Sequence, residues 1–509
     1  MKKYQNTYSA FGSVLFYLLF WKEVLGLNLL VFCVYISFYW LKNEAWHSLN
    51  KGFKMAFGGW IFSIVMILVH HSELAIFMAL TSTALAIGYY KAPDLRSLFY
   101  ALLKAWETYI SLPYYLKKLI KKIPISQSTF LQIKSIARIT VIPLIIVPFF
   151  YTLFKAANPI FKTKVNLVET WLGDRISMFT DHFSIGNVFF FACGAFIVYG
   201  MLHKYRHIAL VGSDKDYQDL LVPKHYYASN AENASIDVEG YTQVINYRNL
   251  LRSGVILALA MNVLLLSVNM IDIFWVWIGF DYSDVNSLSQ FVHEGTYLLI
   301  FSILLSVGII LFFFKGMLNF FPKNKTFKLL TYGWLFQNAI LAISVAVRNF
   351  HYTQYYGLSH KRIGVWVFLF MTLLGIITVF IKIHYKKSSF YLWNVNSWNI
   401  YFTLLLVCSL NWDIVITRYN LNTDNYIGQV DANYLLGLSD EALLLLEENR
   451  EKLYLTENQA IYLDKRLETF KKSYLNTSFL SWNYVRWNNF NQLFPKKDSN
   501  PLTPTRVGR

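Results

Sequence analysis

The residues of this chain best suited to chemistry fall in one stretch, Arg348-Asn349-Phe350-His351-Tyr352-Thr353-Gln354-Tyr355-Tyr356-Gly357-Leu358-Ser359-His360-Lys361-Arg362. A guanidinium group forks onto an oxyanion in two parallel bonds, and a neighbouring phenol adds a directional donor and acceptor. Arg348 and Tyr352 are four residues apart, so on a helix they share a face and reach one ligand. Together with Tyr355, Tyr356 and Arg362 they form a candidate set for binding a phosphate or carboxylate. Acids and bases lie elsewhere in the chain. His293 and Glu294, within Phe291-Val-His-Glu-Gly-Thr-Tyr297, are the candidate general acid or base. Asp413 and the pair Arg418-Tyr419 complete the candidate substrate-binding residues, with Glu294 and Asp413 placed to pair with Arg348, Arg362 and Arg418. Such pairs at the ends of apolar helices also serve simply to lock helices together, so a structural and a ligand-binding reading of the cluster stand side by side.

What must position these residues is a membrane. The chain of 509 residues is 55% hydrophobic, 18% aromatic and 15% charged, against about 25% charged in a soluble protein. The reactive stretch joins two apolar runs, 329–347 and 363–383, each near the ~20 residues that cross a bilayer. Further apolar runs at 26–41, 55–69, 74–90, 139–153, 187–202, 250–271, 297–314 and 400–416 bring the total to about ten spans. The spans at 55–69 and 74–90 are separated by His70-His71-Ser72-Glu73 alone, which makes them antiparallel neighbours. Lysine and arginine in short loops orient a membrane protein. With the basic segment 91–134 in the cytoplasm, the loops 42–54, 203–248, 315–328 and 382–387 fall on the same side. The basic connector 348–362 then lands outside, together with His70, His71, Glu73, Asp413 and Arg418. A basic loop on the unexpected side asks for a reason other than topology.

Several classes are excluded on pattern. The net charge of +17 resides mainly in loops between apolar runs, and no zinc-finger, RNP or basic-helix pattern supports nucleic-acid binding. Cys33, Cys193 and Cys408 each sit in apolar runs without disulfide or metal spacing. His293-Glu294 lacks the second histidine of a zinc-protease helix, since position 297 is tyrosine, and no Walker loop is present. Neither a metal nor another cofactor is expected. The basic N-terminus leads to an apolar stretch without a small-residue cleavage site and reads as a retained first membrane segment.

Past residue 416 the character changes. Residues 438–455 and 457–474 are charged and helix-periodic, with Ser439 and Thr456 at N-cap positions and Thr456-Glu-Asn-Gln459 matching a capping box. The expected fold is therefore all-α: a polytopic transmembrane bundle over 1–416 followed by a soluble helical region over 417–509, whose helices offer a surface to a protein partner.

In order along the chain, His293-Glu294-Gly295, Arg348-x-x-x-Tyr352 leading to Tyr356-Gly357-Leu358-Ser359-x-x-Arg362, and Arg418-Tyr419-Asn420 resemble the bacterial polytopic membrane proteins known as domain of unknown function 4173. Asp431-Ala-Asn-Tyr434-Leu-Leu-Gly-Leu438-Ser439 and Ser481-Trp482-Asn483-Tyr484-Val-Arg486 are similar to segments of that family's C-terminal helical region. The chain departs from the family at Ser409-Leu410-Asn411-Trp412-Asp413, where relatives carry a proline before the acidic residue. The resemblance implies a multi-pass protein of a bacterial plasma membrane and supplies no activity. Three functions remain: binding or processing of an anionic lipid-linked or glycan substrate at the outer face, transport of a small solute, and a membrane scaffold or sensor. The C-terminal region is expected outside the cytoplasm, and membrane lipids are the expected partners.

Overall fold

A computed structural model of the chain describes residues 2–120, a few positions between 151 and 168, 185–203, 214–221 apart from 216, 238–279, 288–321, 323–422 and 430–495. Among these residues the fold is all-α, with a single isolated bridge between Leu220 and Lys387. The expected span at 139–153 lies outside the described residues. Two compact units divide the chain: Met1–Glu23, Val31–Trp46 and Lys104–Val211 form the first, and Val24–Leu30, His47–Leu103 and Gly212–Arg509 the second.

The first unit packs α1 (Lys2–Phe20) and α2 (Leu27–Asn43) with α6 (Ile185–Leu202), α5 being Leu98–Ile120. Phe16, Phe20, Phe32 and Phe190 interlock as tilted and edge-on rings. The last carbonyls of α6, which have no partner within the helix, accept from Gln5, Tyr39 and Trp40 side chains at 3.2–3.3 Å.

The second unit begins with α3 (Lys51–His70) and α4 (Glu73–Lys91), antiparallel as expected. His71 ends α3 in the left-handed region at φ 47°, and Ser72 caps α4 by accepting from the Ala75 amide at 3.2 Å. Gly59 of α3 faces Tyr401, whose hydroxyl would lie 2.0 Å from any Cβ there. Its absence lets Tyr401 reach Ser82 on α4 at 2.8 Å.

Next come α7 (Val238–Asp272), continued by a π-helical turn over Ile273–Ile278, α8 (Leu288–Phe313), α9 (Lys325–Tyr356), α10 (His360–His384) and α11 (Ser389–Val407). Their buried residues recur every seven positions: Leu251, Ala258 and Leu265; Ile303 and Ile310; Trp334 and Leu341; Leu369, Ile376 and Ile383. That spacing is the mark of helices crossing at about 20°. The outer face of α7 presents Ile256, Leu259, Val263, Leu266, Met270 and Phe274, all exposed. Five described helices are long and apolar enough to cross a membrane, or six when α11 and α12 (Trp412–Leu421), bent by 56°, count as one. The apolar segments Leu27–Asn43, Gly186–Leu202 and Tyr297–Phe313 are shorter.

The chain then folds into a cap of short helices, α13 (Ala432–Leu436), α14 (Leu443–Glu448), α15 (Glu457–Leu475) and α16 (Tyr484–Leu493). Thr456 and Gln459 form the capping box of α15. The periodic run 438–455 is instead broken into two single turns around α14. Leu435, Leu436, Leu443, Leu446, Leu463 and Phe470 form the cap's core, and Ile363 of α10 belongs to it. At its far end, Ser481 Oγ and the Trp482 carbonyl accept from the Val24 and Leu27 amides at 2.9 and 3.1 Å.

The reactive connector is mostly helix: α9 continues to Tyr356 and α10 begins at His360. Gly357 makes the turn at φ 79° and ψ −175°, a region essentially reserved for glycine. Asn420 brackets it, accepting from the Leu358 amide at 2.7 Å and donating to the Leu358 carbonyl at 2.9 Å. A Cβ at 357 would stand 2.6 Å from Asn420 Oδ1. Gly357→Ala is expected to cost about 1–3 kcal/mol through the strained backbone alone, read as a lowered midpoint of thermal unfolding in detergent.

Candidate functional site

One end of the second unit gathers the α3–α4 turn, the end of α9, the start of α10, α12 and the cap. At its other end, loops of the opposite set meet: the Leu221 amide donates to the Lys386 carbonyl, and Arg96 binds Asp219 at 2.5 Å and the Tyr217 carbonyl at 2.7 Å.

The helices bring Arg348 to Asp272. Arg348 Nη2 lies 2.5 Å from Asp272 Oδ1, with the two side chains 10% and 5% exposed. Asp272 is seven residues past Leu265 and Arg348 seven past Leu341, so the pair occupies the same buried stripes as the apolar core. That register was the signal available for Asp272. The π-helical turn beyond it brings Trp277 to Ser344 at 3.1 Å and the Val276 carbonyl to His351 at 3.1 Å. Removing one partner of a buried pair strands the other charge, which costs about 3–5 kcal/mol, whereas replacing both by apolar groups is often neutral. Arg348→Met alone should therefore lower thermal stability strongly, and Asp272→Leu in the same chain should restore most of it.

Arg362 is also committed internally. Its guanidinium lies 4.4 Å from the Tyr352 ring centroid and 5.8 Å from that of Tyr356, stacking worth roughly 0.5–2 kcal/mol. It donates to the Tyr356 carbonyl at 3.1 Å and to the Gly357 carbonyl. Tyr352 is buried, Tyr355 packs edge-on against Tyr356, and the Arg362 carbonyl accepts from Asn349 at 3.1 Å. Arg348 and Tyr352 share a helix face, with Arg348 bonding Asp272 and Tyr352 lying under the Arg362 guanidinium. Arg418 and Tyr419 lie on α12, Arg418 exposed and Tyr419 half-buried. His293 and Glu294 fall on α8, with side chains outside the described residues.

The residue that sequence reasoning passed over is His360. Its Nε2 lies 2.7 Å from Asp413 Oδ1, and its Nδ1 lies 3.1 Å from Tyr434 Oη. Its backbone amide also donates to Tyr434 Oη at 3.0 Å. Asn411 caps α12 by accepting from the Asp413 and Ile414 amides, and so fixes Asp413 in the first turn. Asn411 also donates to the His70 carbonyl at 2.9 Å. The second oxygen of Asp413 accepts from the Ser439 amide at 2.9 Å. Asp413, His360 and Tyr434 therefore form a chain of hydrogen bonds in which a carboxylate orients an imidazole and the imidazole faces a phenol, the arrangement of an acid–base relay. His360 is 53% exposed and Asp413 17%.

A second histidine–carboxylate pair stands beside the first. His71 Nδ1 lies 3.5 Å from Glu441 Oε1, two residues past the Ser439 amide that binds Asp413. Among the described residues no group of three His, Cys, Asp or Glu side chains is placed to hold a metal ion.

Burial works to raise the Glu441 carboxyl, and the bonds from His71 and Ser439 outweigh it, holding the group below its ordinary value of 4.5. A carboxyl held down in the folded state contributes stability above that ordinary value, and the contribution is lost as pH falls through the lowered one. Hydrogen exchange over residues 431–446 should therefore accelerate as pH falls below 4.5, after correction for the intrinsic exchange rate. Glu441→Gln should remove that acid-side dependence.

A family model described as Domain of unknown function (DUF4153) matches residues 10–449. This corrects the number 4173 of the resemblance and keeps what both descriptions share, an uncharacterised function. The matched segment contains His71, Arg348, His360, Asp413, Tyr434 and Glu441 and ends between α14 and α15. No curated protein and no solved structure matches the chain.

Proposed function

With the chain belonging to the Domain of unknown function (DUF4153) family, and no activity coming with that membership, we propose that it binds an anionic, membrane-borne group at the capped end of its second unit and exchanges a proton with it through Tyr434 and His360. The observation that carries this reading is the half-exposed Asp413–His360–Tyr434 relay. With Nε2–H donated to Asp413, Nδ1 faces the phenol oxygen; the imidazolium, steadied by the carboxylate, returns a proton through Nδ1–H to the phenolate left once Tyr434 has donated its own. Burial pushes the Tyr434 phenol up, with the His360 amide pulling it back. Tyr434 thus keeps its proton at neutral pH and suits donation to a substrate oxygen, the acid role first sought in His293 or Glu294. Lys361 and Arg418, both exposed, supply the charge that draws an anion to the relay. Arg348 and Arg362 hold the frame.

The charge asymmetry of the loops supports an outward-facing capped end in a bacterial plasma membrane, where lipid-linked phosphates and anionic glycans are the substrates in reach. A sensor or scaffold is the second reading, favoured by the His71–Glu441 contact that fastens the cap to the α3–α4 turn. Transport finds less support, because the polar side chains between α7 and α9 at mid-span are amides bonded to one another or to backbone carbonyls.

The test is mass spectrometry of lipids that co-purify with the protein, comparing wild type with Lys361→Ala, Arg418→Ala and His360→Gln. An anionic lipid or lipid-linked glycan enriched over the bulk membrane in wild type, and depleted in the lysine and arginine variants at equal membrane yield, is the expected result. Tyr434→Phe should retain the lipid and lose turnover. Identical bulk-lipid profiles in all four would reject the binding site.

A further inference from the structure

The cap carries a recess lined by Asn433, Leu436 and Gly437 from α13 and its end and by Asn458, Gln459 and Tyr462 from α15. Its volume is about 310 Å³, at the lower end of small-molecule sites. No lining residue carries a charge, and four of the six end in an amide or a phenol. We propose that this groove binds a neutral saccharide.

Some polar groups in the groove are fixed and others are open. Gln459 is locked twice: its Oε1 accepts from the Thr456 amide at 2.8 Å, and its Nε2 donates to Asn433 Oδ1 at 2.8 Å. The second bond uses the Asn433 oxygen and so turns the Asn433 NH₂ into a donor of set orientation. Binding to such a preset group forfeits little rotamer entropy. The Asn458 side chain, exposed, makes no hydrogen bond to a described residue and presents both a donor and an acceptor. Tyr462, 51% exposed, stands one turn along α15 from Asn458 on the same helix face. Adjacent hydroxyls on a sugar ring each donate and accept, which matches a planar amide, and the ring's C–H face suits an exposed phenol. An anion finds no cation here. An extended peptide seeks an unpaired strand edge, and two helices wall this groove.

The inference does not rest on the relay. Asn433 and Tyr434 are consecutive on α13, one lining the groove and the other touching His360, while α15 lies past the residues the family model matches. A sugar seated in the groove would thus neighbour the relay, and the two sites remain separately testable.

The experiment is saturation-transfer NMR on the full chain in detergent with cellobiose, maltose and N,N′-diacetylchitobiose, and with triglycine as the peptide probe. At least one sugar should show transfer with a dissociation constant on the order of 1 mM, and triglycine none. Asn458→Ala and Tyr462→Ala, both on the exposed face of α15, should each weaken that sugar at least ~10-fold, about 1.4 kcal/mol. His360→Gln should leave it unchanged, which separates this site from the relay. Absence of transfer from all three sugars, binding of triglycine instead, or sugar binding indifferent to both α15 variants would overturn the proposal.

Discussion

In a bilayer the hydrophobic effect does not draw helices together, since lipid tails are as apolar as leucine, so polar bonds and close packing must do it. The seam between α7 and α9 shows this constraint most plainly. Asn262 donates to the Leu330 carbonyl and accepts from Gln337, and Asn269 donates to the Gln337 carbonyl, at 2.7–3.1 Å. The seam continues into the Asp272–Arg348 pair. Each amide bond contributes only about 0.6–2 kcal/mol, yet they recur in step with the seven-residue packing and fix one register. With α9 set, the turn at Gly357, the start of α10 and the site follow.

That constraint also divides the labour among the basic residues. Arginine suits internal ties because its charge survives burial and its fork satisfies several acceptors at once. Arg348 and Arg362 are used in this way, one on a carboxylate and the other on two carbonyls and two aromatic faces. Histidine changes charge near neutrality; His71 meets the cap through Glu441, and His360, paired with Asp413 of α12, meets it through Tyr434. The Ser439 amide holds Asp413 and Glu441 follows two residues on, so one short segment serves both pairs.

Features set by local sequence could be read in advance. The α3–α4 hairpin, the Gly357 turn and the Thr456–Gln459 capping box each depend on a few adjacent residues whose chemistry permits little else. The gathering of His70, the end of α9, Asp413 and the cap at one end was legible from charge parity. Partners were not. The Arg348 bond crosses 76 residues and the His360–Tyr434 bond 74, distances at which spacing carries no information. Asp272 was within reach, as a lone acid in register with buried leucines, but a pattern of apolar runs ends a span where a charge begins. The periodicity of 438–455 suggested one helix, and the fold uses single turns there to wrap the cap around its own core.

The length of α9 sets the depth at which all of this happens. Its 32 residues extend about 48 Å, against ~30 Å of hydrocarbon. Measured from Lys325, Arg348 stands about 35 Å along the axis and Tyr356 a further ~12 Å. With Lys325 at one surface, the buried ion pair lies at the opposite edge of the hydrocarbon and Gly357 among the headgroups beyond it. On that placement His360, three residues past Gly357, stands at headgroup height, the depth at which the membrane-borne anion proposed above would carry its charge.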